Sequence, residues 1–583
     1  MKKTYRHSWI DVDGVNTHYI EAGNGEPLIL IHGGGAGSSG EANYGDIVGQ
    51  LGEDYHTIAP DIIGFGYTDP RGPQDYSGKA QGDFLVRLLE TLDLGPVILA
   101  GNSHGGFLVQ YAAHERPKLV KRLIIINSLN GTFPIPPLPE GRIYIHASGG
   151  HQPRKPDKKS IKRNMKTFYA HIDLVTDRRI DLSYDTTLRN YKYAAERGRN
   201  VSSSVEVLNE NLSYKGRHIS ELASKLQMPV LLTWSEPGSK IEWGLTHFFK
   251  IPGAEMHLFP WSGHHVQIDQ SARWVQVVTN WLKNEPARPI EYPHQRRRRM
   301  WKDSFIDVKG VNAHYIEAGK GKVFVMIHGG GTLGTGWGPT VNYLCDYFHA
   351  IAPDTIGSGM TLARGPQDYS GSAQGDFLID FIEALDLGPV HLAGQSHGGF
   401  LVQYIAHERP DLVKRLIISN SMNGTHPIPP LPEGRIYIHG PGGHQYKKPT
   451  IESIRKFIGR FYDPKDITDE LIKQRYEYAL ITWEYGEKQG NAVSSSVEAS
   501  NRNLSYKRKH ISEWASELKM PVLLMWSEPG SKIEWGLSHF FKIPGAEMHI
   551  LPYSGHGLHR DQVERWVQVV ANWTLNEPAR PPN

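Results

Sequence analysis

Apolar and polar positions alternate along the first half of the chain in a regular rhythm. Eight short apolar, β-branched segments stand out as strand candidates: HSWIDV, NTHYIEA, PLILIHG, HTIAPD, PVILAGN, RLIIINS, PVLLTWS and EMHLFP. Amphipathic helical stretches separate most of them, for example Gly82 to Glu90. The first two are joined by Asp13-Gly14, a hairpin turn signal. The later ones are apolar throughout, which suits strands covered by helices on both faces of a sheet. Strand alternating with helix predicts an α/β fold with a mostly parallel, eight-stranded sheet flanked by helices. The rhythm breaks from about residue 131 to 226, which opens with Pro134, Pro136, Pro137 and Pro139. A structureless loop of that length does not suit a compact domain, so the segment is expected to form an inserted helical cap.

The whole pattern is then written a second time. WIDVDGVNTHYIEAG from Trp9 returns as FIDVKGVNAHYIEAG from Phe305, and RGPQDYSG begins at Arg71 and at Arg364. PIPPLPEGRIYIH begins at Pro134 and Pro427, and WSEPGSKIEWGL at Trp234 and Trp526. A repeat of this length is far beyond a solenoid period, so each copy is a domain with its own core. The expected organisation is a first module over residues 1–288 and a second over 301–583, with the second cap at about 424–518. Residues 289–300 form the linker, within the Pro- and Arg-rich stretch Asn284 to Met300. Arg296 to Arg299 lack interleaved aromatics and read as solvated linker rather than a nucleic-acid patch. The duplication suggests two fused subunits, an internal pseudo-dimer that is open to further self-association.

Composition narrows the function. The 583 residues carry 64 basic and 61 acidic side chains, a net charge of only +3, which argues against a dedicated nucleic-acid binder. Cys345 is the single cysteine, so an intramolecular disulfide framework and a multi-cysteine zinc site are excluded. The 29 histidines include no HExxH pattern, and neither a metal nor a cofactor is expected. No signal-peptide pattern and no long apolar run occur, so a soluble, cytoplasmic protein acting on a small molecule is expected.

The candidate chemistry lies where the predicted strands end. Gly101-Asn102-Ser103-His104-Gly105 and Gly394-Gln395-Ser396-His397-Gly398 are G-x-S-x-G turns between a strand and a helix, the context of a nucleophile elbow. His32-Gly33-Gly34-Gly35 and His328-Gly329-Gly330-Gly331 also follow a strand. Backbone N–H groups near Gly34 and Gly330, with those of His104 and His397, would form oxyanion holes. A phosphate loop is disfavoured there, because no Lys-Ser/Thr follows. The base is expected at His264 and His556, in Ser-Gly-His segments after the last strand; neighbouring His265 has no histidine counterpart in the second half. The acid should follow the seventh strand, where no aspartate stands. Glu236 and Glu528 are the first candidates, with Glu242 and Glu534 behind them.

These motifs resemble those of the α/β-hydrolase superfamily over nearly the whole of each half, and within it the meta-cleavage product hydrolases, which break carbon–carbon bonds in ring-opened aromatic catabolites. The matching pieces include HGGGAGSSGEANY from His32, DIIGFGYTD from Asp61, GNSHGG from Gly101 and SGHHVQID from Ser262. In the caps they are PIPPLPEGRIYI and FYDPKDITDELIKQRYE. The resemblance implies substrate-handling roles for Asn43, Asn102 and Arg475, beside Gly35, Gly331 and Gln395. The other half has Pro339, Gln395 and Ser183 at the positions of Asn43, Asn102 and Arg475, and His265 and Gly557 replace the family's bulky aromatic after the histidine. The expected function is serine-dependent cleavage of a C–C bond next to a carbonyl, or of an ester or lactone. The alternatives are a ligand receptor or pseudo-enzyme on the same fold, or a non-hydrolytic lyase or cyclase.

Overall fold

The computed structural model describes residues 5–35, 37–69, 75–128, 155–201, 212–289, 300–330, 332–361, 368, 370–421, 448–458, 467–473, 475–477, 479–480 and 504–582. The two PIPPLPEGRIYIH segments, most of the linker and Gly331 lie outside these residues. The chain divides into two compact units: Met1–Pro286 with Ala579–Asn583, and Ala287–Pro578.

In the first unit the eight strands are β1 (Arg6–Val12), β2 (Val15–Ala22), β3 (Glu26–Ile31), β4 (Tyr55–Pro60), β5 (Val97–Asn102), β6 (Val120–Ile126), β7 (Val230–Pro237) and β8 (Glu255–Ser262). Their order is β1-β2-β4-β3-β5-β6-β7-β8. β1 pairs antiparallel with β2 through the two-residue turn, and β2 antiparallel with β4; the remaining pairs are parallel. Leu28 to Ile31 and Leu123 to Ile126 are fully buried, as strands covered on both faces require. The helices used below are α1 (Gly78–Leu92), α2 (His104–Glu115), α3 (Lys158–Phe168), α4 (Asp177–Val201), α5 (Ile241–Lys250) and α6 (Ser271–Lys283). The Ser77 hydroxyl caps α1 by accepting from the Ala80 N–H, and Asp157 caps α3 from Ser160. α3 and α4 pack on each other within the expected cap.

The second unit repeats the plan with β9 (Lys302–Val308), β10 (Val311–Ala318), β11 (Val323–Ile327), β12 (His349–Pro353), β13 (Val390–Gln395), β14 (Val413–Ser419), β15 (Val522–Pro529) and β16 (Glu547–Ser554), in the same order and sense. Its helices include α7 (Gly371–Ala384), α8 (His397–Glu408), α9 (Ile451–Ile458), α10 (Ile533–Lys542) and α11 (Val563–Leu575). Each unit has its own core, anchored by Trp274 and Trp281 in the first and by Trp337, Trp566 and Trp573 in the second. Emptying one of these sites to alanine costs about 3–5 kcal/mol. Among the described residues no helix is long and apolar enough to cross a membrane.

Candidate active site

Ser103 sits between β5 and α2 at φ 56°, ψ −117°, and Ser396 between β13 and α8 at φ 57°, ψ −118°. An L-residue held there is strained, so the turn survives only where its surroundings fix it. The flanking glycines do so by letting backbone pass close. A Cβ on Gly101 would stand 2.2 Å from the Gly105 carbonyl oxygen, and one on Gly105 would stand 2.4 Å from that of Ile31. α2 is buried from Gly105 to Ala113, which locks the elbow against the sheet.

The glycine loop after β3 lies against this elbow. A Cβ on Gly33 would be 3.3 Å from the Ser103 Cβ, and one on Gly34 would be 3.1 Å from the His104 Cβ. His32 sets its peptide orientation. The ring accepts at Nε2 from the Ile62 N–H (3.0 Å), so Nδ1 carries the proton and donates to the Gly33 carbonyl (2.8 Å). In a trans peptide the next N–H, that of Gly34, points the opposite way. His328 does the same with Thr355 and Gly329, at 3.1 and 2.8 Å. Gly35 is exposed at the loop's edge, and Gly330 is exposed in the second unit. His104 hydrogen-bonds Gln81 at 2.7 Å, and His397 bonds Gln374 at 3.2 Å.

His264 and His556 follow β8 and β16, and their main chain is tied to the elbow side. The Asn127 amide, just past β6, donates to the His264 carbonyl (2.9 Å) and the Ser235 hydroxyl (2.7 Å), and accepts from the Ser235 N–H (2.9 Å). Asn420 repeats this on His556 and Ser527 at 3.0, 2.7 and 3.1 Å. The buried Asp269 carboxylate accepts from the Gly263 N–H at 2.6 Å and from the cap backbone at Ala170, 3.1 Å. Sequence reasoning passed over Asn127, Asn420 and Asp269. Their signal was the same amide or carboxylate at the same place in both copies.

The hydrogen bonds at each histidine involve a group other than the expected acid. At His264 Nδ1 stands the Ser239 hydroxyl, 3.0 Å away, and at His556 Nδ1 the Ser531 hydroxyl, also 3.0 Å. Glu236 and Glu528 make no hydrogen bond or ion pair among the described residues. Burial, then the charge of Glu242 or Glu534, pushes each carboxyl up. The physical reason lies in the loop's packing. Gly238 and Gly263 pass so closely that a Cβ on Gly238 would be 1.9 Å from the Gly263 carbonyl carbon. The Trp234 indole donates to the Lys240 carbonyl (2.8 Å), and the Ser235 hydroxyl donates to the Gly263 carbonyl (2.6 Å). The loop so pinned turns Ser239, three residues beyond Glu236, onto the imidazole. The repeated WSEPGSK motif is this arrangement in sequence form.

The substrate-handling candidates are also occupied by protein. Asn43 is buried in the short helix Gly40–Tyr44. The Asn102 amide donates to the Ile126 and His264 carbonyls (3.3 and 3.4 Å), while its oxygen meets His265 Nδ1 at 3.1 Å. Gln395 donates to the His556 carbonyl at 3.1 Å. Arg475 donates to Asp303 at 2.8 Å, and Asp303 faces His314 Nε2 at 2.9 Å. His314 Nδ1 in turn meets Asp354 at 2.7 Å. The counterpart of Arg475, Ser183, lies against Gly37 instead, where a Cβ would meet its hydroxyl at 2.0 Å. The first unit has a half-buried cation elsewhere: Arg179, paired with Asp46 and near His265 and Asp269.

Comparison with known proteins agrees with the fold. The family model described as alpha/beta hydrolase fold matches residues 26–271, and that described as Alpha/beta hydrolase family matches residues 324–571. A 2-hydroxymuconate semialdehyde hydrolase from Pseudomonas sp. (strain CF600) is 28% identical over 291 residues, covering 48% of this chain and 94% of that protein. A 2-hydroxy-6-oxo-2,4-heptadienoate hydrolase from Pseudomonas putida is 27% identical over 288 residues, covering 47% and 94%. A solved meta-cleavage product hydrolase from Pseudomonas fluorescens IP01 is 23% identical, covers 47% of this chain and 97% of that one, and superposes with a TM-score of 0.40. Each relative thus corresponds to one half, and the two matched segments together span most of the sequence: the chain belongs to the α/β-hydrolase family of enzymes and carries its domain twice in tandem.

Proposed function

We propose that each half is a serine hydrolase acting on a carbonyl-containing small molecule. The substrate bond is a C–C bond next to a ketone, as the names of the relatives suggest, or the C–O bond of an ester or lactone. The observation that carries the reading is the strained serine at the strand–helix turn with a histidine loop tethered beside it, built alike in both halves.

Ser103 or Ser396 adds to the carbonyl carbon while His264 or His556 takes the hydroxyl proton. The Gly34 N–H, turned by His32, and the His104 N–H hold the oxyanion, as those of Gly330 and His397 would in the second half. The same histidine returns the proton to the leaving group, a carbanion or an alkoxide. Water then repeats the cycle on the acyl-serine. Ser239 and Ser531 are positioning residues. A hydroxyl that accepts a hydrogen bond from Nδ1–H favours the tautomer with Nε2 unprotonated as base, but it adds no negative charge to stabilise the imidazolium. The chemistry therefore runs with a weaker orienting group than a carboxylate.

The test is intact mass after a fluorophosphonate, followed by peptide mapping. Adducts on Ser103 and Ser396 support two activated nucleophiles. Their absence, with an ester too small to be excluded also left intact, overturns the reading in favour of ligand binding without turnover.

A further inference from the structure

The residues after the two histidines differ in kind: His265-Val266-Gln267-Ile268 in the first half, Gly557-Leu558-His559-Arg560 in the second. His265 packs on Tyr169 and Phe168 at ring-centroid distances of 5.6 and 6.0 Å, and Asn102 holds its Nδ1. Burial, then the charge of Arg179, lowers it to about 4, so this ring is neutral at physiological pH.

In the second half Gly557 leaves that space open, and the Arg560 side chain fills it. A Cβ on Gly557 would stand 2.4 Å from a terminal guanidinium nitrogen, 2.8 Å from Nε and 3.0 Å from Cζ. Any other residue at 557 would displace the arginine. The turn is fixed by the Arg560 N–H, which donates to the Gly557 carbonyl at 2.8 Å. His559 turns inward and stacks on Trp337, centroids 3.8 Å apart. The neighbouring Asp561 is engaged with the Gly555 N–H at 2.8 Å and the Ser554 hydroxyl at 3.4 Å. The guanidinium of Arg560 makes no ion pair among the described residues. It also lies near His556: after burial, its charge is the next cause that lowers the His556 pKa.

We propose that Arg560, seated over Gly557, is an anion subsite of the second half that holds a carboxylate of the substrate beside His556. A guanidinium fork suits a carboxylate, whose two oxygens it can meet with parallel N–H groups. The first half places the neutral His265–Asn102 pair at this point and selects an uncharged group. The two halves then divide substrates by charge. The proposal rests on the reading of Ser396 and His556 as a working pair.

The experiment reads each half separately in the full chain. Fluorophosphonate labelling of Ser103 and Ser396 is followed by peptide mapping, with sorbate (a dienoate) or its neutral amide as competitor. Expected is protection of Ser396 by sorbate that weakens tenfold or more in Arg560→Ala, is partly restored in Arg560→Lys, and leaves amide protection and the Ser103 pattern unchanged. Equal loss for sorbate and amide, or no change for either, overturns the subsite. If Ser396 never labels in the wild type, the hydrolase reading of that half fails. Calorimetry with sorbate then decides the subsite alone: a site lost in Arg560→Ala supports it, and identical titrations of wild type and variant overturn it.

Discussion

The two halves share their catalytic scaffold and differ in what surrounds it. Elbow torsions agree within a degree, the Ser239–His264 and Ser531–His556 distances are both 3.0 Å, and the asparagine tether recurs. The charges do not recur. The first half pairs a half-buried Arg179 with Asp46 near a neutral His265. The second has leucine at the position of Arg179, pairs Arg475 with Asp303, and brings Arg560 to Gly557. The elbow and its tether are thus alike in the two halves, while the arginines around them differ. Under the proposed function this pattern fits two substrates better than one decaying copy.

The largest effect should come from the nucleophiles. Ser103→Ala should abolish labelling and turnover in the first half, a loss on the order of 10⁶-fold, and leave the second half at its own rate. Ser396→Ala should do the reverse. Substrate profiles of these two variants, measured with matched neutral and anionic esters, separate the halves; identical profiles would break the comparison.

Next comes the tether. Asn127→Ala removes three hydrogen bonds from a buried position and takes one partner each from the His264 carbonyl and the Ser235 hydroxyl. At about 1 kcal/mol each, kcat in that half should fall by about 10²-fold with KM little changed. Asn420→Ala should match it in the second half, and steady-state kinetics on the single-nucleophile variants checks both.

The charge difference should show in pH. The Arg560 charge disfavours the imidazolium of His556. In Arg560→Ala the His556 pKa should rise, so the acidic limb of the second half's rate profile should move to higher pH. The first half's limb should stay where it is.

The smallest effect concerns stability. Burial works to lower the His314 pKa, but the Asp354 charge and the hydrogen bonds from Asp303 and Asp354 outweigh it, and the net direction is up. A raised pKa means stability present at low pH and lost as pH climbs through the folded-state value. The second unit should therefore weaken as pH climbs past the ordinary histidine range, and Asp303→Asn should flatten that dependence. Denaturant midpoints across pH 6 to 9 measure it.

The fold was legible because strand and helix periods are local signals, and all eight strand segments of the first half became strands. The elbow and the glycine loop were legible too, because their geometry tolerates few sequences. Ser239 was not. The expectation of a carboxylate drew attention to Glu236, whereas the packing of Gly238 on Gly263 decides which residue reaches the imidazole. That close approach joins residues from two strands and carries no local signature. The Arg475–Asp303 contact was not legible either, because its partners lie far apart in sequence.

The central claim is that a serine hydroxyl, and no carboxylate, orients the base in each half. The direct measurement compares two full-chain variants by steady-state turnover of one ester. In the first, Glu236, Glu242, Glu528 and Glu534 are all replaced by Gln; in the second, Ser239 and Ser531 are replaced by Ala. The account predicts that the glutamine variant stays within about twofold of wild type while the alanine variant loses about tenfold in kcat, the worth of one neutral hydrogen bond. Collapse of the glutamine variant with an unaffected alanine variant would contradict it.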